Sequence, residues 1–172
     1  MRRLTKVFAL LIVLIFVSGF ILLGAFGRVE APAQPIEFDH WQHVTKEEGP
    51  QLECNFCHEN ADKSRYATVP NVSTCMTCHE SIETDSPEVQ KLAAIAERGQ
   101  QPPWARVYWI ESSANVFFTH KPHIRAGVDC AACHGQVGQA HRVRREVEHS
   151  MGWCISCHRQ QGVSIDCYVC HR

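Results

Sequence analysis

Hydrophobic positions are spread unevenly along the chain. Val7 to Gly27, VFALLIVLIFVSGFILLGAFG, is a run of twenty-one residues without a charge, preceded by Arg2, Arg3 and Lys6. A run of that length crosses a bilayer as one helix, and basic residues before it leave the N-terminus in the cytoplasm and everything after Arg28 outside. The alternative is a cleaved signal peptide, since Ala31-Pro32-Ala33 loosely fits a small-residue cleavage site. The apolar run exceeds a normal signal core and the small residues sit several positions beyond its end, so a retained anchor over residues 1–30 is the expectation. The remainder, 31–172, has one domain's length.

In that remainder one helical period stands out, in SIETDSPEVQKLAAIAERGQQPPW. Ser86 or Asp85 can cap, Pro87 suits the first helical position, Glu88 complements the dipole and Gly99 can terminate. Val89, Leu92, Ala93 and Ala96 share one face, which predicts a short amphipathic helix. Pro70 and Asn71 predict a turn. The stretch QQPPWARVYWIESSANVFF, with Trp104, Tyr108 and Trp109, reads either as an extended segment reaching for a partner or as rings that shield an apolar ligand. Elsewhere Gly, Pro and polar residues predict loops.

Cysteine then changes the picture. All ten cysteines fall in C-x-x-C-H pentapeptides: Cys54, Cys57 and His58; Cys75, Cys78 and His79; Cys130, Cys133 and His134; Cys154, Cys157 and His158; Cys167, Cys170 and His171. This is the attachment signal for c-type haem: each thiol takes one vinyl group, and the following histidine ligates the iron from one face. Zinc sites also pair Cys with His, but they need no histidine directly after every second cysteine, and their ligands must combine in fours. Disulfides suit an exported chain, yet C-x-x-C pairs serve poorly as structural staples. Five haem c cofactors are therefore expected, covalently held by the ten cysteines, with the five motif histidines as proximal ligands. Fewer than thirty residues per haem are too few for an ordinary side-chain core. The expected fold is a multihaem cytochrome c, mostly loops and short helices wrapped around five haems, plus the N-terminal transmembrane helix.

An internal repeat suggests the remaining ligands. Residues 36–58 and 116–134 both read Phe-x-His-x-x-His, a linker, then C-x-x-C-H: Phe38, His40 and His43 before Cys54, and Phe118, His120 and His123 before Cys130. The pattern points to duplication. Eleven histidines less the five in motifs leave His40, His43, His120, His123, His141 and His149. Five irons need five ligands on their second faces, so bis-histidine ligation throughout is possible with one histidine spare. Such irons are low-spin and low in potential and relay electrons without an open position for substrate.

The Phe-x-His-x-x-His pattern resembles the class III multihaem cytochromes c. More closely, residues 104 to 159, with WARVYWIESSANVFFTHKPHIRAGVDCAACHG and MGWCISCHR, resemble the membrane-anchored pentahaem subunit of alternative complex III and cytochromes of related quinone-reductase complexes. The resemblance implies that His40 ligates the haem at Cys54 and Cys57, and His120 the haem at Cys130 and Cys133. His43, His123 and His141 then serve the other three, with pairings left open. Members of the family often carry Met near the position of His141, a departure that bears on that haem's potential. His149 is the spare; Met151 is an alternate ligand or packs on a porphyrin, and Met76 packs.

Charge divides the exported part: residues 31–102 carry five Lys and Arg against twelve Asp and Glu, and residues 103–172 carry eight against five. The two halves are expected to meet different neighbours, or Arg142, Arg144 and Arg145 pair with haem propionates. No feature points to nucleic acid, a phosphate loop or a hydrolytic triad. The expected role is an electron-transfer subunit at the cytoplasmic membrane, its haem domain on the periplasmic side. The resemblance implies integral-membrane and iron–sulfur partner subunits and a monohaem cytochrome acceptor. A free-standing membrane-anchored quinol dehydrogenase ranks second and a multihaem reductase third. In the leading reading catalysis belongs to the assembly, not to this chain.

Overall fold

A short helix, of four to ten residues, recurs wherever two cysteines stand three apart, and this local rule generates most of the secondary structure. The computed structural model describes Phe8, residues 11–20 and residues 31–171. The chain divides into two units, Met1–Glu30 and Ala31–Arg172. In the first, residues 11–20 are helical, and their apolar side chains, Phe16 and Phe20 among them, are exposed. Among the described residues no helix is long and apolar enough to cross a membrane. Residues 1–7, 9–10 and 21–30 of the expected anchor segment lie outside the described residues.

The second unit contains α1 (Cys54–Cys57), α2 (Val72–His79), α3 (Pro87–Glu97), α4 (His120–Arg125), α5 (Cys130–His134), α6 (Met151–Gln160) and α7 (Cys167–Cys170). A π-helical turn, Trp41–Thr45, and two 3-10 turns, Ser112–Ala114 and Val137–Gln139, complete it. A single antiparallel bridge, Val116 to His171, is the β-structure among the described residues. Five of the seven helices carry a C-x-x-C pair, because a three-residue spacing brings both thiols to one side of a single turn. Asp129 caps α5 by accepting from the Ala131 amide at 2.7 Å, and the Ser150 hydroxyl caps α6 by accepting from Trp153. Gly135, after α5, has φ +70°, and a Cβ there would lie 2.1 Å from the Glu146 carboxylate, so only glycine fits.

α3 follows its sequence signals: Ser86 precedes it in extended conformation, Pro87 opens it and Gly99 follows at φ +63°. The Ser86 side chain makes no cap bond. The first turn is tied instead through Glu88, whose carboxylate accepts from the Glu37 amide at 2.8 Å and pairs with Lys91.

Val89 and Leu92 are buried, as are Ile36, Val72 and Pro102, and no other aliphatic or aromatic side chain is buried among those described. Ile36, Val72 and Leu92 cluster between α2 and α3, flanked by Cys75, Met76, Ile95, Ala96 and Trp104. Five such side chains are far too few to offset the conformational entropy of ordering the rest of the unit. Four-residue helices do not stand alone either.

The two repeats are anchored differently. The first turn docks on residues 138–140, with Trp41 N donating to Ala140 O at 3.3 Å and the Thr45 hydroxyl to Gly138 O at 2.7 Å. The second docks on the segment after the first motif: His120 N donates to Arg65 O, Lys121 N to Ser64 O and Arg65 Nε to Phe118 O. Arg125 Nε adds a bond to Asp62 O.

Candidate functional site

All ten motif thiols are free. Burial pushes the thiols of Cys57, Cys75, Cys130, Cys133 and Cys154 up from their ordinary value, so they are neutral near pH 7. Among the described residues no three His, Cys, Asp or Glu side chains converge as a directly protein-bound ion would require. The geometry therefore departs from the clustered donors of a structural zinc site.

The histidines share one arrangement. His58 Nδ1 lies 2.6 Å from Thr68 O, His79 Nδ1 3.1 Å from Ile82 O, His158 Nδ1 2.8 Å from Ser164 O and His171 Nδ1 3.0 Å from Ala114 O. Outside the motifs, His43 Nδ1 lies 2.8 Å from Asp39 O, His120 Nδ1 2.9 Å from Arg65 O and His123 Nδ1 2.9 Å from Thr119 O. A carbonyl only accepts, so in each ring Nδ1 carries the proton and Nε2 keeps its lone pair. Metal-ligating histidines are oriented in this way. His149 is the reverse, with Nε2 2.7 Å from Cys133 O.

Three rings lack such a carbonyl, among them His141, whose Nδ1 meets the Asp39 carboxylate. His40 Nδ1 is buried without a partner among the described residues. Burial, with His58 and His43 nearby, lowers the pKa of His40 to about 4. Burial likewise lowers His134 to about 4, helped by His149, His120 and His58. Both are neutral at physiological pH, the form in which imidazole ligates.

Three pairs of rings face each other. The centres of His120 and His134 are 6.2 Å apart with planes 8° from parallel, those of His43 and His79 6.0 Å apart, and those of His123 and His158 6.1 Å apart. A metal–imidazole bond of about 2 Å plus about 1 Å from nitrogen to ring centre puts two imidazoles on opposite sides of one metal about 6 Å apart. The spacing, with Nε2 left free on five of the six rings, fits an iron between each pair. Fixed thiols beside each proximal histidine fit a covalently attached porphyrin around it.

Phe38 and Phe118 place the outer rings. Phe38 meets His40 edge-on at 4.8 Å and lies over His43 at 4.4 Å; Phe118 meets His120 edge-on at 4.9 Å and lies over His123 at 4.9 Å. The sequence repeat is thus a repeat in space. His141 is drawn to the first copy, with Nδ1 2.8 Å from the Asp39 carboxylate and its ring 5.2 Å from Trp41. Among the described residues no imidazole faces His171 at a comparable spacing. His149 stands edge-on to His134 at 6.0 Å and packs on Trp153.

Asp39 escaped notice in the sequence. Its carbonyl orients His43 and its carboxylate holds His141. Burial raises its pKa, but bonds from His141 and the Gln42 amide outweigh burial and hold the carboxyl below its ordinary value. The available signal was its position in the repeat, where Thr119 occupies the matching place and its carbonyl does the same for His123.

The aromatic segment divides its work. Trp104 joins the small core, and Tyr108 packs on His134 at 4.6 Å, donates to His134 O at 2.8 Å and accepts from the Glu146 amide. Trp109 is partly exposed, held by Glu111 and the Arg145 guanidinium. The segment is therefore not a continuous docking strip. Arg142 pairs with Glu37, while Arg144 lines a cavity of about 310 Å³ with Gln136, Gln139, His141 and Glu146. Met76 packs and Met151 is exposed at the start of α6.

Cysteine pairs on single turns and facing imidazoles with free Nε2 atoms are features of multihaem c-type cytochromes. No family model matches the chain. It is 28% identical over 166 residues to the multiheme cytochrome c subunit of menaquinone reductase from Nitratidesulfovibrio vulgaris strain Hildenborough, covering 81% of this chain and 77% of that protein. The likeness supports a multihaem cytochrome c linked to a quinone-reductase complex.

Proposed function

We propose that the chain is an electron-transfer subunit with five covalently bound haem c groups, relaying electrons within a membrane quinone-linked complex. Haem iron, when bound, supplies one-electron redox chemistry. The polypeptide contributes attachment, axial imidazoles of fixed tautomer, and close spacing. The observation that carries the reading is the set of three imidazole pairs about 6 Å apart, five of whose six rings give Nδ1 to a backbone carbonyl. The ten motif cysteines would form the thioethers, and His58, His79, His134, His158 and His171 would bind proximally. His40, His43, His120, His123 and His141 would bind on the second faces. His141, its Nδ1 proton given to Asp39, stands beside the first repeat, and the iron it would serve is left open.

The apolar side chains of residues 11–20, exposed along their helix, support a membrane anchor, and Arg2, Arg3 and Lys6 before it support a haem domain on the extracytoplasmic side. Likeness to a subunit of menaquinone reductase supports work inside an assembly; the partners we propose there are integral-membrane and iron–sulfur subunits, with a monohaem cytochrome as acceptor. A free-standing quinol dehydrogenase is the second reading, favoured by the small size and the apolar N-terminal segment.

Gently solubilised membranes, resolved on a native gel stained for haem and analysed by mass spectrometry, decide between these. Migration with multi-span and iron–sulfur subunits is expected. Migration alone or as a small homo-oligomer overturns the large-complex reading.

A further inference from the structure

The sequence numbers the motifs from first to fifth, but the contacts between them follow another order. His40 and His43 lie one turn apart against the same Phe38 ring, His43 faces His79, and His40 lies within electrostatic reach of His58. The first and second sites are therefore neighbours. Cys57 lies near Cys75.

One of these two sites must lead on to the third. The residues that follow the first motif do so: Ser64 and Arg65 offer carbonyls to the Lys121 and His120 amides, Arg65 O also accepts from the His120 ring, and Asp62 O accepts from Arg125. Cys130 lies within hydrogen-bond reach of Cys54, and His134 feels His58. The first and third sites meet back to back.

His120 and His123 repeat the first clip. They share Phe118 and face His134 and His158, which joins the third site to the fourth. His149, just before α6, bonds to Cys133 O, and Cys133 feels both Cys154 and Cys157. From α6 the chain turns through Ser164, bonded to His158, into α7, where Cys170 lies within reach of Cys154. α7 is fastened by the Phe117 amide on Cys170 O and by Ala114 O on the His171 ring.

We infer that the five attachment sites form one unbranched row in the order second, first, third, fourth, fifth, with electrons exchanged with partners at the second and fifth sites. This rests on the reading that each motif carries a haem. The motif in the middle of the sequence is also the middle of the row, while the first motif is interior. A terminal site has one neighbour and hence a free side, which is what exchange with another protein requires.

The test uses the intact complex purified from membranes. Haem per chain is first counted from the alkaline pyridine spectrum and the intact mass. The porphyrins are then located by electron cryomicroscopy and traced to their cysteine pairs. Expected is a count of five, with the group on Cys75 and Cys78 touching only that on Cys54 and Cys57, and the group on Cys167 and Cys170 touching only that on Cys154 and Cys157. A count below five overturns the five-haem reading and the row with it. A count of five with the second site beside the third or fourth, or the fifth in the interior, overturns the row alone.

Discussion

His120 and His134 lie 6.2 Å apart with ring planes 8° from parallel, although fourteen positions separate them in sequence and their backbones belong to different helices. Arg65 O fixes one ring and Tyr108 braces the other. If one iron lies between them, His120→Met replaces an imidazole by a thioether, which raises potential. Redox titration is expected to show one midpoint raised on the order of 0.1 V, within the roughly 0.8 V range that axial ligands span. Unchanged midpoints in a fully loaded protein would remove His120 from the ligand set.

Phe118 touches two imidazoles that face different motif histidines. Phe118→Leu is expected to weaken the fold by about 1 to 3 kcal/mol, taking about 0.5 to 1.5 kcal/mol for each aromatic contact. It should broaden the electron paramagnetic resonance lines of two haems, the third and fourth, and leave the others sharp. Phe38→Leu should do the same to the first and second. Broadening of one haem, or of all five, would contradict the shared clip.

His141 and His149 are separated by a single measurement. His141→Ala is expected to turn one of five haems from low-spin to high-spin, whereas His149→Ala, whose Nε2 faces Cys133 O, should leave all spin states unchanged. A fully low-spin spectrum after His141→Ala would make that residue only the surface partner of Asp39.

Glu88 is held below its ordinary carboxyl value by hydrogen bonds from Lys91 and the Glu37 amide. A depressed folded pKa contributes stability that is present above the unfolded value and is lost as pH falls through the folded one. Glu88→Gln should therefore lower stability at pH 7, by less than about 1 kcal/mol for so exposed a pair. In thermal melts the gap to wild type should close as pH drops below the ordinary value of 4.5. A gap that persists in acid would mean that the glutamate acts by packing.

Replacing Cys167 and Cys170 by serine is expected to reduce haem from five to four per chain and the mass by one haem, with the other four retained. Their clips and carbonyl tethers lie elsewhere, apart from the bonds of Phe117 and Ala114 to α7. Loss of all haem would show that the fifth site is required for the chain to fold.

The motif residues, the repeat and α3 were legible because each rests on near-neighbour spacing: two residues between thiols, two between His40 and His43, and a 3.6-residue period over Val89, Leu92 and Ala96. The facing of His43 with His79 and of His123 with His158 was not. Those pairings depend on where loops return, through bonds such as Thr45 to Gly138 and Arg125 to Asp62, which span more than sixty residues. Tyr108 was read only as an aromatic in a strip. Its hydroxyl bridges the His134 carbonyl and the Glu146 amide, a role that no local pattern encodes.

The backbone tethers on the imidazoles also bear on rate. A ring whose Nδ1 proton is already held by a carbonyl, and whose face in both repeats rests on a phenylalanine, has little freedom to tilt when charge at its other nitrogen changes. Pre-set dipoles of this kind spare the surroundings from rearranging at each transfer. Low reorganisation energy lets electrons move in both directions between sites of nearly equal potential, so the traffic along such a row is set by what is joined to its ends.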